Sequence, residues 1–222
     1  MDYKYNLYGN GNPDFHEWDI ATGTVIKKGQ VVKLAAGLVV LAVVAETAAI
    51  LGIAAEDHLG SADTLNPRSN GLKIKVYDSP GAVFSSKAVS ELTATSGSGT
   101  TFAATGLALY ADADFVNGYL ILTTKGGAST LTDPVGTIYK VTGFTAATKL
   151  FTGVFPGGAS AGDKMILIPP MLFAKGNFDA TLQTIDYITA ATGTEAKVVD
   201  VDLKMKEIYW SPSLHLLGNK AS

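Results

Sequence analysis

The chain has 222 residues, a formal net charge of -3 and 47% hydrophobic residues. That length suits one generous domain or two small ones. The mild acidity excludes a polybasic nucleic-acid binder that works by neutralising phosphates, and the apolar fraction excludes a disordered polyampholyte. The absence of cysteine removes disulfide scaffolds, thiolate zinc sites, iron–sulfur clusters and a cysteine nucleophile.

Residues 1–18 differ from the rest of the chain. Tyr3, Tyr5, Tyr8, Phe15 and Trp18 stand among Asn, Gly and Pro, and Gly9-Asn10-Gly11-Asn12-Pro13 is turn chemistry. The start lacks the basic-then-apolar pattern of a signal peptide. The stretch reads as an aromatic arm that docks either on its own body or on a neighbour.

Residues 19–170 read as the body. Val25-Ile26 and Val31–Leu34 suggest two short strands around the Lys27-Lys28-Gly29 turn, and Ala35-Ala36-Gly37 marks a second turn. The apolar run 38–44 predicts a strand buried on both faces, and residues 50–54 repeat the theme. Residues 34–53 together are long enough to cross a bilayer. Glu46 within the run and its interior turn signals favour buried strands instead. Residues 72–77 alternate apolar and polar with period two, as a half-buried strand does, and Asp78-Ser79-Pro80-Gly81 stops them. Residues 93–101 read as an exposed loop or hairpin tip. Strands are predicted at 107–110, 119–124, 136–143 and 164–168, the last closed by Pro169-Pro170, with a turn over 112–118.

Residues 171–222 form a C-terminal β-rich segment. Residues 181–189 fit helix or strand. Over 197–208, Val199, Val201, Leu203 and Met205 alternate with Asp200, Asp202, Lys204 and Lys206, which predicts one strand with those apolar residues in the core. The apolar tail, Trp210 and residues 214–217, reads as docked. The whole pattern predicts a mainly β protein, a small barrel or sandwich with an N-terminal arm and an additional C-terminal β segment.

The search for chemistry yields little. No phosphate-binding glycine loop is present and no Gly-x-Ser-x-Gly elbow. His16, His58 and His215 are far apart, with no second histidine at ligand spacing. Asp57-His58 reads as a solvated loop rather than half of an acid–base pair. Asp112/Asp114 lacks the oxygen-rich spacing of a calcium loop, and Asp200/Asp202 reads as a solvated sheet face. No catalytic, cofactor or metal residue is assigned.

One stretch resembles the head decoration, or capsid cement, proteins of tailed bacteriophages. The likeness lies in Gly23, Val25, Ile26, Gly29, Val31, Val32 and Leu34, followed by a turn and Gly52-Ile53-Ala54. Residues 72–84 and 115–125 resemble later strands of such proteins. The resemblance implies a non-enzymatic virion protein on the outer surface of an expanded icosahedral capsid, present in host cytoplasm before assembly. It implies contact with the major capsid protein, a trimer as the favoured homo-oligomer, and no cofactor, direct nucleic-acid contact or membrane. On this reading Tyr3, Tyr5, Tyr8, Phe15 and Trp18 face the capsid or another subunit, with Trp210, Leu214 and Leu217 as the second choice. Three alternatives stand beside it. One is a fibre or receptor-binding β-domain that stacks glycans on Tyr and Trp. Another is a hydrolase or lyase using Asp57, His58 and His215. The last, a major capsid subunit, is disfavoured by the short chain and the lack of an amphipathic spine helix.

Overall fold

The computed structural model describes residues 2–6, 15–21, 23–43, 49–59, 73–79, 81–107, 110–173, 177–179, 184–186 and 196–212. These residues form strands and turns, and no helix occurs among them. In chain order the strands are β1 (Asp2–Asn6), β2 (His16–Asp19), β3 (Val25–Ile26), β4 (Val31–Ala35), β5 (Leu38–Leu41), β6 (Ile50–Ala54), β7 (His58–Leu59), β8 (Lys73–Tyr77) and β9 (Ala82–Lys87). They continue with β10 (Glu91–Gly97), β11 (Thr101–Ala104), β12 (Tyr119–Thr124), β13 (Ile138–Lys140), β14 (Gly143–Thr145), β15 (Leu150–Thr152) and β16 (Lys164–Ile168). The last are β17 (Asn177–Asp179), β18 (Thr184–Asp186), β19 (Ala196–Asp202) and β20 (Glu207–Pro212).

The first unit is a five-stranded antiparallel sheet, β2-β8-β6-β4-β5. A bridge between Ile20 and Val39 brings β5 back to the end of β2, so the sheet closes into a small barrel. Its filling is Ile20, Ile26, Val32, Val39, Leu51, Ala54, Ile74 and Val76. The β4–β5 hairpin turns on Ala36 and Gly37, both at positive φ (50° and 82°), as a two-residue loop matched to strand twist requires. A bulge at Leu51, where Val32 faces Gly52 but Lys33 faces Ile50, shifts the inward phase of β6 by one residue. Leu51 and Ala54 therefore point into the barrel, while Ile50 and Ile53 point out into the main core. All of β6 is buried. This corrects the expectation for 38–44: in β5 Leu38 is 37% accessible and Val40 and Leu41 are half-buried, and Val43 beyond it is 55% accessible. The doubly buried strand is β6, as expected for 50–54, with Ile50 and Ile53 in the main core and Leu51 and Ala54 in the barrel. The run 34–53 that matches a bilayer in length takes in the end of β4, all of β5 and most of β6, and no described helix is long and apolar enough to cross a membrane.

The second unit is a seven-stranded sheet, β13-β12-β16-β10-β11-β15-β14. Its two ends, β13 and β14, belong to one continuous stretch. Val141 donates its N–H to Gly118 O beside β12, and Thr142 donates to Thr152 O on β15. The sheet therefore closes on itself as well. Leu92, Phe102, Leu120, Leu122, Tyr139, Phe144, Phe151, Met165 and Leu167 share its core, in cross-strand pairs such as Phe102–Phe151 and Leu120–Leu167. The predicted strands at 119–124 and 164–168 appear at those positions. The Gly- and Ser-rich stretch is a hairpin, with only residues 98–100 at its tip. Leu107 and Tyr110 lie outside any strand but are buried.

A four-stranded sheet, β1-β9-β20-β19, completes the architecture. Here the arm and the C-terminal segment meet around β9, so neither is an appendage: β1 and β20 both pair with residues 82–87. Residues 197–208 form a hairpin rather than one strand. Asp202 Oδ1 accepts the Met205 N–H at 2.9 Å, and Lys206 takes a φ of 54°. A bulge at Val199 changes the phase: Ala196 and Val198 before it enter the core, Val201 and Leu203 after it pack against the core half-buried, as expected, and Met205 in the turn is 54% exposed. A second bulge, at Lys4, interrupts β1 between Tyr3 and Tyr5. Of residues 181–189, the described part is strand β18.

Candidate interaction surface

Three of the arm's aromatic residues, Tyr3, Phe15 and Trp18, reach a common place, the junction of the small barrel and the four-stranded sheet. A file of rings runs outward from the core. Trp210 lies 5.4 Å from Phe84, Phe84 lies 6.0 Å from Tyr3, and Tyr3 stacks on Tyr77 at 4.9 Å. Tyr77 meets Phe15 edge to face at 6.2 Å. Trp210 and Phe84 are fully buried, Tyr3 and Tyr77 are half-buried, and Phe15 is 44% exposed. Offset and edge-on contacts of this kind suit the ring quadrupoles. Lys75 Nζ lies 5.0 Å from the Phe15 centroid, so a cation covers the outermost ring.

Beside the file, one carboxylate anchors β2. Asp78 is fully buried at the exit of β8, just before the turn that leads to β9. Its Oδ2 accepts the Trp18 indole N–H at 2.7 Å, and its Oδ1 lies 2.8 Å from His16 Nδ1. His16 and Trp18 are two residues apart on an extended strand, so their side chains share a face and converge on the same acid. A buried carboxylate needs such partners, because desolvation without them is costly. Trp18 packs against the small barrel's core, and His16 stands at its surface.

Of the residues singled out in the sequence, the structure thus brings Tyr3, Phe15, Trp18 and Trp210 into one neighbourhood. Trp210 is a correction. It is 0% exposed and fills the core against Phe84, so it presents no face to a partner. Among the described residues its indole N–H has no hydrogen-bond partner, and neither has the buried hydroxyl of Ser86. Tyr5 lies in β1 but its side chain, with Tyr8, Leu214 and Leu217, falls outside the described residues. Sequence reasoning missed Tyr77 and Asp78. They read locally as a strand end and a turn, and nothing local announces partners about sixty residues earlier in the chain.

The residues of the enzymatic alternative hold backbone instead. His58 is 2% exposed, a correction to the solvated-loop reading, and its Nδ1 donates to Thr24 O at 2.7 Å. Asp57 Oδ1 accepts the Lys28 N–H at 2.7 Å, so the pair fixes the β3–β4 turn. His215 lies outside the described residues. Asp112 and Asp114 accept the N–H groups of Ala146 and Ala111, both at 2.7 Å. Asp200 and Asp202 line a shallow depression of about 680 Å³ with Lys4 and Tyr209. Burial first, then the charges of Glu207, Asp202 and Asp200, raise the Tyr209 phenol above its ordinary pKa. Among the described residues no group of three acidic or histidine side chains is placed to hold a metal.

Comparison of the chain with known protein families, characterised proteins and solved structures finds no match.

Proposed function

We propose that this chain is a non-catalytic virion protein that binds the outer surface of an expanded phage capsid and braces neighbouring capsomers. The observation that carries the reading is the small closed barrel. Of the residues of the resemblance, Val31, Val32, Leu34 and Gly52-Ile53-Ala54 lie on its strands β4 and β6, and Ile26 helps to fill it. The rigid ring file that ends in the exposed Phe15 supports the reading as well. Large side chains with few rotatable bonds lose little entropy when a partner covers them. The proposed partners are the major capsid protein and further copies of the chain, a trimer being the favoured assembly. Before assembly the protein belongs to the host cytoplasm. Many copies on one shell add small contacts into a large total.

The test is co-sedimentation with mature heads stripped of this protein, beside unexpanded procapsids. Saturation at a fixed ratio on mature heads alone is the expected result. Absence of binding to mature heads overturns the proposal. A glycan screen then addresses the receptor-binding alternative, with Phe15 and Trp18 as the residues to replace.

A further inference from the structure

The grip of Asp78 on β2 depends on a group that titrates. The Asp78 side chain is 1% exposed and that of His16 is 69% exposed, so one member of the pair is sealed in the protein while the other exchanges protons with water. His16 Nδ1 stands 2.8 Å from Asp78 Oδ1, and the Trp18 indole N–H donates to Oδ2 at 2.7 Å. The indole brings a dipole but no charge. Among the described residues the imidazole is the one partner of Asp78 able to carry a positive charge. A carboxylate out of water is sensitive to whether that charge is present.

The ladder places the neighbouring charges elsewhere. His16 pairs with Val76 and Trp18 with Ile74 on the face turned to the barrel interior, while Glu17 pairs with Lys75 and Asp19 with Lys73 on the opposite face. Lys75 Nζ lies over the Phe15 ring. Glu56, just past β6, accepts the Lys75 N–H on the side of β8 away from β2. β5, which meets the end of β2 through the Ile20–Val39 bridge, holds no charged residue. Phe15 directly precedes His16 in the chain, so the hold on β2 is also the hold on the outermost ring of the file.

We infer that His16 and Asp78 form a pH-sensitive latch on the exposed end of the ring file. With the imidazole charged, β2 is clamped to β8 and Phe15 is held in place. Once the proton leaves, the buried carboxylate faces a neutral ring, and β2 and Phe15 loosen. A neutral imidazole still donates one hydrogen bond, so the latch weakens rather than opens outright. The folded chain gives the proton a carboxylate partner that the unfolded chain lacks, and therefore binds it more tightly. The stabilisation is fully present below about pH 6.5, the ordinary histidine value, and is lost as pH rises through the folded midpoint above it. The latch belongs to the isolated chain and does not rest on the capsid reading.

The test is a pH titration of the full chain followed by NMR, reading the His16 ring protons and the two indole N–H signals. The His16 midpoint is expected above that of the same ring in the urea-unfolded chain. The Trp18 indole signal is expected to move with that midpoint, and the Trp210 indole, in the core, to stay still. Amide exchange across residues 16–19, corrected for its intrinsic rate, is expected to show protection falling about tenfold from about pH 6 to about pH 8, the equivalent of one pKa unit of coupling. His16→Gln keeps a hydrogen-bonding amide at an exposed position, so folding is spared; it is expected to leave both the protection and the Trp18 signal independent of pH over that range. Asp78→Asn is expected to return the His16 midpoint to its unfolded value. A wild-type midpoint at or below the unfolded value, a Trp18 indole that ignores it, or pH-dependent protection that survives in His16→Gln overturns the inference. None of these readings involves heads, so failure of the capsid reading and failure of the latch are told apart.

Discussion

Gly52 gives the sharpest test of the small barrel. A Cβ built there would lie 2.0 Å from Tyr77 O and 2.9 Å from Tyr77 C, both backbone atoms of the neighbouring strand. Ordinary contact begins at 3.4 Å, so β6 and β8 must part by about 1.4 Å. These strands share a short ladder, Ile53 facing Tyr77 and Ala54 facing Val76. Next to it, Ala55 N–H donates to Lys75 O at 2.9 Å. A displacement of that size carries such a bond beyond hydrogen-bonding distance. Overpacking costs about 1–3 kcal/mol and each lost ladder bond about 1 kcal/mol, so Gly52→Ala is expected to cost roughly 3–5 kcal/mol. For a chain of this length that lowers Tm by roughly 6–20 °C. Two glycines calibrate the scan. Gly37 meets nothing within 4 Å but has a φ of 82°, so Gly37→Ala is expected to cost about 1 kcal/mol through backbone strain alone. Gly127 also meets nothing and lacks that φ, so Gly127→Ala is expected to be neutral or to stabilise by up to about 1 kcal/mol. Thermal unfolding followed by circular dichroism reads all three. A Gly52→Ala protein that melts with the Gly127→Ala protein refutes the close approach of β6 and β8.

Other outcomes follow from the same structure. Asp78→Ala leaves the Trp18 indole without its acceptor and is expected to cost about 1.5–3 kcal/mol, measured by denaturant unfolding alongside Trp fluorescence; an unchanged midpoint removes the anchoring role. Phe15→Ala is expected to change stability by less than about 1 kcal/mol and to weaken head binding by roughly tenfold or more if the capsid reading holds; unchanged binding takes Phe15 out of the interface. Burial, then the charge of Asp133, pushes the Tyr139 phenol up to about 12 from its ordinary 10.0. The folded chain therefore holds this proton more tightly than the unfolded chain. Its contribution is fully present below pH 10 and is lost as pH climbs toward 12. Unfolding midpoints measured across that window are expected to fall less steeply for Tyr139→Phe than for wild type, and parallel curves refute the assignment.

What was legible in the sequence depended on how locally each feature is determined. β12 and β16 could be read closely because turn residues and Pro169-Pro170 bound them. β8 showed its half-buried alternation plainly. Burial on two faces is read for both 38–44 and 50–54 and holds for the second alone. Residues 38–41 and 50–54 are similarly apolar, and only the closure of the barrel against the main core decides which is covered twice. The β19–β20 hairpin was hidden because the apolar–polar alternation continues straight through its turn. The available signal was Asp202, an acid able to cap the turn with its own side chain. At the candidate surface, composition alone pointed to Tyr3, Phe15 and Trp18. Tyr77 and Asp78 join them only through topology, because the pairing of β2 with β8 is a long-range event. The same topology buried Trp210, which the sequence could not distinguish from an exposed tryptophan.

The two irregularities at the margins of the four-stranded sheet bear on how such a chain behaves when crowded. Its outer strands are β1 and β19, and the outer side of β19 is already paired at Val198, whose N–H bonds Phe173 O and whose C=O accepts the Leu172 N–H. Each is broken by one extra residue, Lys4 in β1 and Val199 in β19. A bulge twists the ladder out of line, and a lysine at the break adds a charge that an incoming strand would have to desolvate. Runaway strand-to-strand polymerisation is thereby discouraged where the sheet is most open to it. Copies can then accumulate at high local concentration without seeding fibrils, leaving side-chain surfaces rather than bare backbone to govern how they meet.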